Sequence, residues 1–192
     1  MGSSRAYAVY RADDTAEACR RARLLCARMQ RLDGEVWLCA RLHTVEEARA
    51  MGELLPAGLF ESSYDPDSDA YDPDLWYPGS DLPAHDRELA AVLPLTVDGY
   101  AAPGPAVEES FLRALGDGAG TMLWRGVREE RPEIADQSED STNQRVELDL
   151  NEEHPDGRHT VHVHFRYEDP AGAAHLAAAI GGAVLGPVQV GR

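Results

Sequence analysis

Lysine is absent from this chain: all 18 basic residues are arginine, set against 34 Asp and Glu. No stretch approaches the ~20 consecutive apolar residues of a membrane span, so no membrane partner is expected. Residues 1–20 hold three Arg and two Asp and no apolar core, so no secretory leader is expected and the expected compartment is the cytoplasm. Cysteine is scarce. Cys19, Cys26 and Cys39 are an odd, clustered set, which makes a poor disulfide framework. Cys19 and Cys26 fall seven apart on one face of a predicted helix, about two turns distant and too far to bond. They read as small buried hydrophobes, and no nearby Cys or His pair completes a zinc set.

Reaction-specific motifs are missing as well. There is no Gly-x-Ser-x-Gly, no phosphate-binding loop and no His-Glu-x-x-His. The glycines at Gly116, Gly118 and Gly120 follow a helix and precede a strand, the reverse of a phosphate cradle, and helix termination accounts for them. These absences lean against an enzyme, and no cofactor is expected.

What the chain has in quantity is negative charge. The net charge is −16, and it is unevenly placed. Residues 1–50 carry nine Arg and seven acids, a net of +2, whereas residues 51–192 carry nine Arg and 27 acids, a net of −18. Such a field repels nucleic acid and attracts basic surfaces. Arg20, Arg21, Arg23, Arg28 and Arg31 lie mostly opposite the apolar stripe of a helix and read as a solvated face.

At 192 residues and 43% hydrophobic content, the chain is long enough to build a core without metal or disulfide. Ala6–Tyr10 reads as a strand. Asp13-Asp14-Thr15 starts a helix whose Ala18, Ala22, Leu25, Met29 and Leu32 form one stripe. Glu35 to Arg41 is an apolar strand, and Thr44 with Glu46 and Glu47 caps a helix to about Leu55. Eight of the twelve prolines then fall between Pro56 and Pro105. That composition predicts an acidic, Pro-rich surface insertion over about 56–105, interrupted by a short helix near Asp86–Val92. A helix over Ala106–Leu115 and a strand over Thr121–Val127 follow.

The clearest local pattern comes near the end of the chain. Val146, Leu148 and Leu150 alternate with Glu147 and Asp149; Val161, Val163, Phe165 and Tyr167 alternate with Thr160, His162, His164 and Arg166. Period two in both runs predicts a β-hairpin with one apolar face. Asp169-Pro170 opens a helix of small residues, and Val184–Val190 makes a last strand. Both ends thus read strand, acid-started helix, strand. The expectation is a single α+β domain, a ferredoxin-like antiparallel sheet with helices on one face, carrying the acidic insertion.

Three constellations are candidates for function. His162, His164 and Glu168 have His-x-His-x3-Glu spacing, which is similar to the metal motif of the cupins. That likeness covers seven residues; the preceding glycine spacing is off by one and no second histidine motif follows. On a strand these side chains project from one face, which suits a metal or acid–base site. Pairing Leu150 with Val161 across the turn would instead set Asp149 against His162 and Glu147 against His164, as ordinary cross-strand pairs. His159 falls on the apolar face and reads as structural.

Asp65, Asp67 and Asp69 alternate like the start of a calcium loop. However, Ala70 stands where the loop needs Gly, and Trp76 where it needs a bidentate acid. The third constellation is the wider segment itself, in which Tyr64, Tyr71, Trp76 and Tyr77 are interleaved with Asp65, Asp67, Asp69, Asp72, Asp74 and Asp81. Aromatics supply binding hot spots, and carboxylates steer and pair a basic partner.

The leading expectation is an acidic binding or inhibitor protein that neutralises a basic protein, as an immunity protein or antitoxin does. The alternatives are a metal-dependent or acid–base enzyme using the histidine strand, and a small-molecule-binding or assembly subunit whose sheet face is the interface.

Overall fold

The computed structural model describes residues 4–28, 35–62, 76–127, 143–152 and 154–190. These divide into two compact units, residues 1–34 with 122–192, and residues 35–121. In chain order the elements are β1 (Arg5–Ala12), α1 (Thr15–Arg28), β2 (Val36–Leu42), α2 (Val45–Leu54), β3 (Leu59–Ser62), β4 (Trp76–Pro78), α3 (Asp86–Ala91), β5 (Leu95–Ala101), α4 (Pro105–Leu115), β6 (Gly120–Val127), β7 (Asn143–Leu150), β8 (His159–Phe165), α5 (Pro170–Ala179) and β9 (Leu185–Val190). The class is mixed α/β with antiparallel pairing.

In the first unit the strands lie in the order β7-β8-β1-β9, with the later part of β6 beside β7. The alternation along β8 fixes two faces. On one, Tyr7 pairs with Val163 and Tyr10 with Val161. Helix α1 lies against this face: the Tyr10 hydroxyl donates to Glu17 Oε1 at 3.2 Å, and the Arg21 guanidinium sits 5.0 Å from the Tyr10 ring centroid. Ala18, Ala22 and Leu25 on α1 are fully buried, as their four- and three-residue steps require. Asp14 Oδ1 accepts the Glu17 N–H at 2.6 Å and caps the helix start. Arg21 also donates to the Ile180 carbonyl just past α5, tying the end of one helix to the flank of the other. At α5, Asp169 accepts the Gly172 N–H at 2.8 Å and Pro170 fills the first turn. The Asp169 N–H in turn donates to the buried Tyr7 hydroxyl at 3.2 Å.

In the second unit the order is β4-β3-β5-β2, and the start of β6 runs beside β2, where the Arg41 N–H donates to the Ala119 carbonyl at 3.2 Å. Val36, Leu38, Ala40 and Leu42 on β2 are buried together with Phe60, Leu95 and Val97. Met51 of α2 and Phe111 and Leu115 of α4 complete this core. Thr44 and Glu47 form a reciprocal capping box at the start of α2, as the Thr-x-x-Glu spacing predicts.

The segment 56–105, expected to be a surface insertion, contains β3, β4, α3 and β5, and two of these strands carry core residues. The prolines there explain the difference. Pro56 follows α2, Pro78 ends β4, Pro94 precedes β5, and Pro105 opens α4, so each punctuates an element rather than interrupting one. The described residues form nine strands, more than the ferredoxin-like sheet that was expected contains.

Candidate functional site

The hairpin of β7 and β8 brings together the largest group of buried polar side chains among the described residues. Its register pairs Glu147 with His162, Leu148 with Val161 and Asp149 with Thr160. This is two residues away from the pairing of Leu150 with Val161. The shift has a local cause: Asn151 takes a left-handed backbone (φ 56°), and its N–H donates to His159 Nδ1 at 3.2 Å, which ends the ladder at Asp149. Because the shift is even, every side chain keeps its face. The two shortest acid–imidazole contacts therefore form along diagonals. His162 Nδ1 lies 3.0 Å from Asp149 Oδ2 and 3.9 Å from Glu147 Oε1, and His164 Nε2 lies 3.1 Å from Glu147 Oε2.

All four side chains are sealed from solvent. His162 is 1% exposed, His164 and Asp149 2%, and Glu147 7%. They occupy the face of the sheet opposite α1. Alanines flank them on β1, since Ala8 pairs with His162 and Ala6 with His164. Arg145 of β7, paired with His164, shares this face. Glu147, Asp149 and His162 each offer a ligand atom within 4.8 Å of the others.

Glu168, the acid of the His-x-His-x3-Glu spacing, does not join this group. Strand β8 ends at Phe165, and Glu168 is an exposed side chain 3.6 Å from Arg5 Nε. The carboxylates that the imidazoles meet come from β7, and the alternation of Val146, Leu148 and Leu150 is the signal that points Glu147 and Asp149 to the same face.

His159 has a different role, one of structure. Its Nδ1 accepts the Asn151 N–H, so the proton of the neutral ring sits on Nε2, which donates to Thr15 Oγ1 at 2.9 Å. Burial, and next the Arg158 charge, hold its pKa below the ordinary value, which agrees with a neutral ring. One imidazole thus joins the first residue of α1 to the start of β8.

Of the acidic aromatic segment, Tyr64, Asp65, Asp67, Asp69, Tyr71, Asp72 and Asp74 lie outside the described residues. Trp76 belongs to β4 opposite Glu61, and Tyr77 pairs with Phe60 and is partly exposed. Asp81 is exposed at the end of a 3-10 turn, where its carboxylate accepts from the Ser80 hydroxyl at 3.1 Å. Among the cysteines, Cys19 and Cys26 are buried in α1. Cys39, opposite Asp98 on β5, has its thiol pushed up to about 11 by burial, and secondarily by the Asp98 charge. A thiol so poorly ionised is a weak nucleophile.

A scan of protein-family models finds none that matches the chain, and comparisons with curated proteins and with solved structures find no match.

Proposed function

We propose that this chain is a non-enzymatic binding protein built from two ferredoxin-like modules, whose acidic surface recognises and neutralises a basic protein partner. The strand orders support the modular reading. In the first unit, β1-α1-β7-β8-α5-β9 gives βαββαβ with spatial order second, third, first, fourth. In the second, β2-α2-β3-β5-α4-β6 gives the same pattern, with β4 and α3 added between its middle strands. The second module sits in the chain between α1 and β7 of the first.

The observation that carries the binding function is the −16 charge, with a net of −18 falling after residue 50. The described carboxylates of this region include strongly exposed ones, such as Asp86, Asp156 and Glu168, each of which lies near an arginine of the chain. Burial weighs against the catalytic alternative. Imidazoles and carboxylates that are 1–7% exposed have no open path to a substrate in this conformation. The immunity-protein or antitoxin role is the concrete form of this reading, with a basic toxin such as a nuclease as target.

The test is capture from a native lysate at low and high salt, using the wild type and a variant with Asp65, Asp67 and Asp69 changed to Arg. The expected result is one dominant basic partner, held at low salt, released at high salt and lost by the variant. No partner at low salt, or equal capture by the variant, would overturn the proposal.

A further inference from the structure

We infer that Glu147, Asp149 and His162 form a buried site for one divalent transition-metal ion, with His164 as the residue that positions Glu147. Glu147 and Asp149 place two carboxylates side by side in an enclosed setting. A divalent ion matches that charge, and the donor set of one imidazole nitrogen and two carboxylate oxygens suits the zinc-like, borderline ions better than magnesium or calcium.

The geometry is close to what such an ion needs. With bonds of about 2.1 Å, a tetrahedral ion holds its ligand atoms about 3.4 Å apart. Here His162 Nδ1 stands 3.0 Å from Asp149 Oδ2 and 3.9 Å from Glu147 Oε1, and the three ligand atoms all lie within 4.8 Å. Rotation of the two carboxylates is enough to centre them on an ion.

His164 supplies an independent observation. Its side chain is 3% exposed, and neither ring nitrogen makes a hydrogen bond among the described residues. Its Nε2 nevertheless stands 3.1 Å from Glu147 Oε2, on the oxygen other than the one nearer His162. A carboxylate whose one oxygen meets the metal and whose second accepts from an imidazole is the usual outer-shell arrangement. With Glu147 drawn toward the ion, the His164 N–H gains the acceptor it lacks. Ala6 and Ala8 on β1 leave room for these rings. The inference is independent of the basic-partner reading and stands or falls separately.

Metal content of the protein, both as isolated without chelator and after refolding with Zn²⁺ or Co²⁺, tests this directly. Refolding is included because the ligands are sealed. We expect one equivalent of metal per chain and a thermal midpoint raised by about 5–10 °C at a hundredfold excess of Zn²⁺ over Kd. Glu147→Gln with Asp149→Asn should abolish both. His164→Gln should keep the stoichiometry while weakening Kd by about 10–100-fold. In the wild type, Co²⁺ should shift or broaden the His162 and His164 ring resonances more than that of His175, exposed on α5, which locates the ion without any variant. Absence of stoichiometric metal under both conditions would overturn the site, as would binding that leaves the His162 signals unperturbed. An unchanged Kd in His164→Gln would remove His164 from its assigned role.

Discussion

The two units share an element order and a strand order yet treat one face of their strands in contrary ways. In the first unit that face is closed and ionisable, holding Glu147, Asp149, His162 and His164 at 1–7% exposure. In the second it is half-open: Trp37 and Cys39 on β2 and Thr96 and Asp98 on β5 are partly exposed, and Tyr100 is 51% exposed. Of the buried polar residues described, all but Glu108 of α4 lie on β7 or β8. The same backbone plan therefore carries a sealed polar core in one copy and a surface in the other. Topology decides where side chains point; the identities at alternate positions decide whether that face stores charge or stays open to solvent.

The comparison is broken most severely by removing one member of the sealed group. Asp149→Ala should cost about 3–5 kcal/mol, because it leaves a buried polar partner uncompensated. Asp98→Ala, on the open face of the second unit, should stay within about 0.5 kcal/mol, the usual range for a surface change. Urea unfolding of the two variants gives the contrast. Near-equal losses would mean that the two faces do not differ energetically.

Apolar cores should not differ between the units. Phe60→Ala in the second unit and Phe165→Ala in the first should each cost about 3–5 kcal/mol, measured in the same way. A much smaller loss for Phe60 would mean that the second unit is held by something other than its own core.

His159 sharpens the contrast between structural and ligand-type imidazoles. His159→Ala leaves the Asn151 N–H and the Thr15 hydroxyl without this partner and should cost about 1–3 kcal/mol. The pH dependence has a definite sign. The folded pKa is lowered, so the stabilisation is complete above the unfolded value of 6.5 and is lost as pH falls toward the folded value. A chemical-denaturation series between pH 7 and 5 should show that loss in the wild type and a flatter profile in His159→Ala.

A smaller effect is expected at the α2 cap. Thr44→Ala removes the side-chain half of the capping box and should cost about 1 kcal/mol by thermal or urea unfolding. The smallest concerns Glu17, whose carboxyl is held down at about 2 by hydrogen bonds from Arg20 and then Arg21. Its contribution is present above the ordinary value of 4.5 and is lost as pH falls through about 2. Glu17→Gln should flatten acid unfolding in that window alone.

Much of this architecture is legible in the residues. The stripe of Ala18, Ala22 and Leu25, the Thr44–Glu47 box, and the alternations around Leu148 and Val163 locate α1, α2, β7 and β8, because each is a local rule obeyed over several residues. Strands β3 and β5 escape it, since Leu59-Phe60 and Leu95-Thr-Val97 are short runs embedded among prolines. Those prolines mark boundaries, and composition alone reads them as an insertion. The acid–imidazole contacts follow from alternation, which survives an even shift in register. The identity of the carboxylates does not follow from spacing along one strand. Glu168 has the right interval but lies beyond the end of β8, and Glu147 and Asp149 arrive from the partner strand. Burial of that face is the feature no local pattern contains, because both faces of β8 alternate in the same way.

The division between a sealed charge cluster and an exposed acidic surface is tested most directly by the salt dependence of partner association. Once the partner is captured, its association rate with the intact protein should be followed from about 50 to 500 mM salt. The account predicts a fall of at least about tenfold, as for electrostatically steered encounters. A rate that stays flat across that range would contradict it.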